Sequence, residues 1–283
     1  MVAVEVHARR HSMSPALALV QPYAGFVGLL AIPVFGVLLG ASEPDAPVAT
    51  AGWIATLAGT VRLYPQLFLN WQRRSVEGLS LDAQVYAVFG FGAYALFNCG
   101  LAKAPSVLLP SGAYANLHTL LVSMLVLYQC SIFKRGAQVV SSTCQIVVGA
   151  AFAFMLVFLL VGGVLNIGIL SWSNFIDVTC YFHVLMTAIK YAPQVELQYT
   201  RKSTVGFSVY GVLYDGLFGA ATLASLLLQG TAAANPWLLA IACITVSYNT
   251  VLLLQHAVLY RNRWPADGDD DCTLQERRAL IHI

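Results

Sequence analysis

Arg62, Lys190 and Asp215 lie inside long apolar stretches of the sequence. An ionisable side chain at membrane depth is costly unless it is paired or hydrated. Such residues therefore mark pathways for ions or polar solutes, or ion pairs that hold helices together. Lys190 and Asp215 each fall eight residues from the basic end of their stretch. At ~1.5 Å of rise per residue both are about 12 Å deep, which predicts that they face each other or a shared cavity. Asp215 is the candidate proton carrier, because a carboxylate beside a cation that comes and goes switches between its charged and neutral forms. A static Lys190–Asp215 ion pair is the purely structural alternative. His183, seven residues before Lys190, could line the same cavity, and histidine changes charge readily in a mildly acidic compartment. Asp82 sits three residues into its stretch, where an acid caps a helix start. Asp177 and Glu196 fall near the ends of theirs.

Around two of these residues the sequence repeats itself. Arg62 to Ser80, RLYPQLFLNWQRRSVEGLS, and Lys190 to Ser208, KYAPQVELQYTRKSTVGFS, align on Pro65 and Pro193. They agree at Pro-Gln, at a basic pair before Ser75 and Ser203, at Gly78 and Gly206, and at Ser80 and Ser208. A cation precedes each proline by three residues, Arg62 or Lys190, and an amide follows it by five, Asn70 or Gln198. Proline removes one helical hydrogen bond and kinks the chain, and in a bilayer the freed carbonyl needs another partner. Two such breaks in register predict hinges at Pro65 and Pro193. Gln66 and Gln194 would serve the broken backbone or offer donors and acceptors to a ligand. Tyr64, Phe91 and Tyr94 are candidate ligand-facing aromatics.

The elements that must position these residues are membrane helices. Of 283 residues 58% are hydrophobic and 10% charged, far below the roughly 25% charged residues of soluble domains. With about 20 apolar residues needed per crossing, spans are expected near 22–41, 51–71, 79–101, 113–133, 144–164, 174–198, 207–229 and 236–259. No period of two marks a barrel, and the connections carry turn chemistry such as SEPDAP and GTAAANP. Twelve of the fifteen Lys and Arg fall in alternate loops and both tails, against Lys103 alone on the other side. By the positive-inside rule those loops and both termini face the cytosol. The first span is expected to be an uncleaved crossing; the alternative is a signal peptide cut near LLGAS.

The offset between the prolines is 128 residues and crosses four spans. An even number preserves direction, so two three-helix units should run parallel, as in transporters whose substrate sites lie between repeats. The expected organisation is 1–48, cytosolic N-terminus and extra hydrophobic segment; 49–135, first repeat; 136–168, linker helix; 169–261, second repeat; and 262–283, cytosolic tail. The fold class is an all-α membrane bundle of seven helices plus that N-terminal segment.

The paired Pro-Gln segments resemble the PQ-loop transporter family. FNCGL, LHTLLVSMLVLYQCSIFKRGAQVVS, RKSTVGFSVYGVLYD and LLQHAVLY are similar, within it, to the cystinosin-like lysosomal cystine exporters. The resemblance implies proton-coupled cystine export from an acidic lumen, with Asp215 as coupling residue. It places Lys190, Gln66, Gln194, Phe91 and Tyr94 on or around the substrate. This sequence departs from the pattern at five positions. His183 stands where the family has a membrane lysine, Gln198 and the pair Ala87 and Gly211 where it has asparagines, and Asn249 where it has a last-helix aspartate. Another amino acid, cationic or neutral, is the alternative substrate, and a non-transporting seven-helix receptor the alternative class.

Catalysis is not indicated. The sequence has no His-Glu-x-x-His, no Gly-x-Ser-x-Gly, no phosphate loop and no Gly-x-Gly-Asp partner for Asp215. No cofactor, metal or nucleic acid is expected; the expected partners are the solute, protons and membrane lipids. In the tail, Glu276 precedes Leu280 and Ile281 as in acidic dileucine signals, which suggests cytosolic sorting adaptors that direct proteins to lysosomes or vacuoles.

Overall fold

Residues 15–101, 110–164 and 171–260 are described in this computed structural model, and they are almost wholly helical. The helices are α1 (Pro15–Gly40), α2 (Ala46–Val61), α3 (Tyr64–Arg73), α4 (Leu81–Leu101), α5 (Pro110–Ile132), α6 (Ser142–Val164), α7 (Trp172–Lys190), α8 (Ala192–Arg201), α9 (Val209–Leu228) and α10 (Pro236–Leu254). A π-helical turn, Gln255–Leu259, continues α10. The dileucine residues Glu276, Leu280 and Ile281 lie outside the described residues.

Proline sets the breaks. Pro65 and Pro193 each occupy the first turn of a new short helix, where a missing amide hydrogen leaves no helical bond unmade. The expected spans 51–71 and 174–198 are therefore each two helices, α2 with α3 and α7 with α8. Among the described residues, four segments are long and apolar enough by themselves to cross a membrane: Tyr114–Ile132, Ser142–Val161, Val209–Leu228 and Pro236–Leu259. The two broken spans fall short of that measure because a proline divides each and their inner faces carry amides and a cation.

The repeats are visible in the packing. The first unit is α2–α3, α4 and α5; the second is α7–α8, α9 and α10; α6 connects them. Across the interface α2 packs on α9 and α7 packs on α4, the same pairing in both directions. Linker α6 docks through Met155 and Phe158 against Phe97 of α4 and Phe175 of α7, while its other faces expose Ile146, Phe152 and Val157. Helix α1 lies against α2 and α9, where the Tyr214 hydroxyl donates to the Gly25 carbonyl at 2.7 Å.

At the end of the bundle rich in Arg and Lys, two loops of the same design meet. Each short helix ends in a left-handed cap, Arg74 at φ 51° and Lys202 at φ 52°. Each following helix starts on a serine: Ser80 Oγ accepts from the Ala83 amide and Ser208 Oγ from the Gly211 amide, both at 3.3 Å. Between cap and serine stand Gly78 at φ 99° and Gly206 at φ 93°, a region open to glycine and strained for other residues. The two glycines press against the opposite loop. A Cβ on Gly206 would overlap the Glu77 carbonyl oxygen, and one on Gly78 the Val205 carbonyl oxygen.

Gly206→Ala should therefore lower stability by about 1–3 kcal/mol, read as a lower thermal unfolding midpoint in detergent. Gly149→Ala, which meets nothing within 4 Å, should leave the midpoint unchanged or slightly raised. Equal midpoints for the two variants would refute the close approach of the loops.

Candidate functional site

Asp215 is buried on α9, and its carboxylate gathers three donors from three other places in the chain. Arg62 Nη1 donates at 2.6 Å, the Tyr191 hydroxyl donates to the other oxygen, and Asn249 Nδ2 on α10 donates at 2.9 Å. Arg62 is the C-terminal cap of α2 and Tyr191 that of α7. Both proline breaks thus present a donor to one carboxylate. Both residues keep right-handed helical dihedrals, φ −55° and ψ −28° for Arg62 and φ −81° and ψ −29° for Tyr191.

Lys190 and Asp215 border one cavity, as their equal depth predicts, but the ion pair weighed as the structural alternative is made by Arg62 and not by Lys190. Equal depth put Lys190 at the right level, but its ammonium lies over aromatic faces, 4.9 Å from the Phe91 centroid and 4.5 Å from that of Tyr191. The Arg62 guanidinium is 5.0 Å from the same Phe91 ring and 4.6 Å from Phe218. Both cations thus lie within cation–π reach of Phe91, and the ring quadrupole attracts each. Arg62, Lys190, Phe91 and Asp215 border a cavity of about 100 Å³, together with Gln66 and Gln194. Ala87 and Gly211 form parts of its wall and bring no polar side chain.

Gln66 and Gln194 form a reciprocal clasp. Gln66 Nε2 donates to the Gly206 carbonyl at 3.1 Å and its Oε1 accepts from the Ser208 amide at 2.8 Å. Gln194 Nε2 donates to the Gly78 carbonyl at 2.9 Å and its Oε1 accepts from the Ser80 amide at 2.8 Å. Each repeat's amide thus holds the loop of the other repeat, and the clasp closes the cavity floor toward the basic end. The sequence suggested a local or ligand-directed role for these amides; their bonds run between the repeats.

Behind the clasp the repeats differ. Gln66 Nε2 also donates to Asn70 Oδ1 at 2.7 Å, and Asn70 Nδ2 to Gln129 Oε1 at 3.0 Å. Gln129 in turn donates to the Leu67 carbonyl at 3.0 Å. In the second repeat Gln255 makes the matching bond to the Val195 carbonyl at 3.1 Å. There the network stops: both amide atoms of Gln198 and Oε1 of Gln255 are buried without a partner. Gln198 is one methylene longer than its counterpart Asn70, and its amide makes no bond that would link Gln194 to Gln255.

The other predicted residues lie around this centre. His183 lies one layer away from the cavity, its ring stacked on Tyr94 with centroids 4.3 Å apart. His183 Nδ1 sits 2.9 Å from the Gly90 carbonyl, which can only accept, so Nδ1 carries the proton. Tyr94 joins an aromatic layer with Phe97 and Trp237. Tyr64 turns away from the cavity to pair with His118 Nε2 on α5 at 2.9 Å. Asp82, in the first turn of α4, accepts from the Ser141 amide at 2.9 Å and so ties the start of α6 to the first repeat. Asp177 and Glu196 are exposed. Tyr191 was missed as a site residue, although its place between Lys190 and the helix break was the available signal.

Gln198→Asn should complete the second network and raise stability by about 1–3 kcal/mol, visible as a higher thermal midpoint. A midpoint equal to or below wild type would show that the unpaired amide is not a source of instability.

A family model described as the PQ loop repeat matches residues 48–107 and 175–233, which cover both proline breaks. Cystinosin of Bos taurus is 32% identical over 233 residues, covering 75% of this chain and 63% of that protein. Cystinosin of Drosophila melanogaster is 28% identical over 246 residues, 80% of this chain and 61% of that protein. A cystinosin homologue of Arabidopsis thaliana is 28% identical over 232 residues, 74% and 84% of the two chains. The chain thus spans about three fifths of the length of the two animal cystinosins. The chain thus carries two PQ-loop repeats and is similar to the cystinosins across about three quarters of its length.

Proposed function

We propose that the protein is a proton-coupled symporter that moves a carboxylate-bearing amino acid from an acidic lysosomal or vacuolar lumen to the cytosol by alternating access. Cystine is the solute to which the family resemblance points. One observation carries the reading: Asp215 is the common acceptor for Arg62 and Tyr191, the donors at the two helix breaks. A proton arriving on Asp215 removes the charge that holds Arg62, so a single event loosens both hinges together.

The substrate's part follows from the same geometry. A carboxylate entering the cavity competes with Asp215 for Arg62 and finds Lys190, the other cation near the Phe91 ring, on the same cavity wall. Asp215, once displaced, is free to accept a proton, so solute and proton load together. By the positive-inside rule the basic end faces the cytosol. The Gln66 and Gln194 clasp is then the barrier on the cytosolic side, and release requires both loops to part. Pro65 and Pro193 are the pivots, because the chain there lacks the bonds that stiffen a continuous helix. The acidic dileucine residues of the tail would give cytosolic adaptors access from the same side.

In proteoliposomes with an imposed proton gradient, the wild type should accumulate radiolabelled amino acid, with cystine assayed first and acidic, neutral and cationic amino acids after it. Asp215→Asn should lose gradient-driven uptake by roughly a hundredfold, the scale on which removal of one essential proton-transfer group acts. Undiminished gradient dependence in Asp215→Asn would refute the coupling role. A folded wild type that moves no amino acid would refute the transport reading.

A further inference from the structure

The charges at the cavity do not balance. Among the described residues that border it, Arg62 and Lys190 are cations and Asp215 is the only acid. That acid is fully engaged, accepting from Arg62 and Tyr191 on separate oxygens and from Asn249 as well. Lys190 has aromatic faces for neighbours, and no carboxylate among the described residues is recorded within ion-pair distance of it. Arg62 keeps a further unused donor, because its Nε is buried without an acceptor. The cavity as it stands therefore holds one uncompensated positive charge, and a second appears once Asp215 takes a proton.

Acceptors for a substrate's ammonium group are correspondingly scarce. The carbonyl oxygens of Gln66 and Gln194 already accept from the Ser208 and Ser80 amides. Ala87 and Gly211 contribute no side-chain acceptor to the wall, which leaves only the neutral groups of Gln84, Tyr191, Ser208 and Asn249 and no second carboxylate among the described lining residues. A double zwitterion such as cystine brings two ammonium groups to a site with a single carboxylate, the one that takes the coupling proton. A cationic amino acid adds to the excess charge. A solute with one more carboxylate than ammonium offers a partner to Lys190 and another to Arg62, and charge-assisted bonds of this kind are the strong ones.

We infer that this cavity takes a solute whose carboxylates outnumber its ammonium groups, the acidic amino acid class, held by Arg62 and Lys190 beside Phe91. The inference rests on the transport reading of the same cavity and narrows it to a substrate class. It makes Lys190 the specificity-determining cation, because Arg62 is shared with Asp215 while Lys190 is not.

Binding to the purified full chain in detergent tests this without requiring flux. L-Glutamate, L-aspartate, L-cystine, L-alanine and L-arginine are titrated against wild type at one ionic strength, with isothermal calorimetry as the readout. The acidic pair should bind roughly tenfold or more tighter than the other three, the scale of one charge-assisted bond. Lys190→Gln should erase that preference and bring glutamate to the level of alanine. The ranking among ligands uses wild type alone and stands even where Lys190→Gln does not fold. Cystine, alanine or arginine binding as tightly as glutamate would overturn the inference, and so would the absence of glutamate and aspartate binding. Neither result touches proton coupling, which is decided separately by the loss or retention of gradient-driven uptake in Asp215→Asn.

Discussion

A carboxylate cannot sit unpaired inside a membrane bundle, and the interior of this protein is arranged around satisfying one. Asp215 draws Arg62 and Tyr191 from the two helix breaks and Asn249 from α10. Buried ion pairs add little net stability, since desolvation of both partners offsets most of their attraction, but breaking one by removing a partner costs about 3–5 kcal/mol. Such a contact is poor glue and a good latch. It gives the two repeats a common reason to hold one arrangement and a common trigger to leave it.

Symmetry extends the latch into a gate. The same short sequence, a proline, a glutamine, a basic pair, a glycine and a serine, is used twice, and each copy completes the other. The prolines break α2 from α3 and α7 from α8. The glutamines reach across to the opposite loops, the glycines let those loops touch, and the serines start the next helices. Because every bond of the clasp joins one repeat to the other, the repeats cannot rock apart at this end without releasing all four. The second repeat is the weaker half, since Gln198 leaves unpaired what Asn70 satisfies in the first.

What the sequence revealed was whatever local chemistry decides. Pro65 and Pro193 must end helices wherever they stand, so both breaks and the parallel repeat were legible from spacing alone. That Lys190 and Asp215 share one level of the bundle was legible too, because rise per residue is fixed, and both border the same cavity. Rotation about a helix axis is not fixed by depth, and tertiary packing decided it. Arg62 faces Asp215 across 153 positions of sequence, Lys190 turns to Phe91, and Tyr64 swings out to His118. The clasp was hidden for the same reason. An amide after a proline looks like a ligand for its own broken helix until the partner loop is placed beside it.

The account turns on a competition for Arg62 between Asp215 and an incoming carboxylate, which by linkage makes solute binding and proton uptake favour each other. The most direct measurement is the number of protons taken up when the tightest-binding amino acid is added. Calorimetry near pH 5, in buffers of different ionisation enthalpy, reads that number. Binding heats that vary with the buffer in wild type, in the sense of proton uptake, and become independent of it in Asp215→Asn are the result expected. Buffer-independent heats in wild type, with binding intact, would contradict the competition and with it the coupling of the two hinges through Asp215.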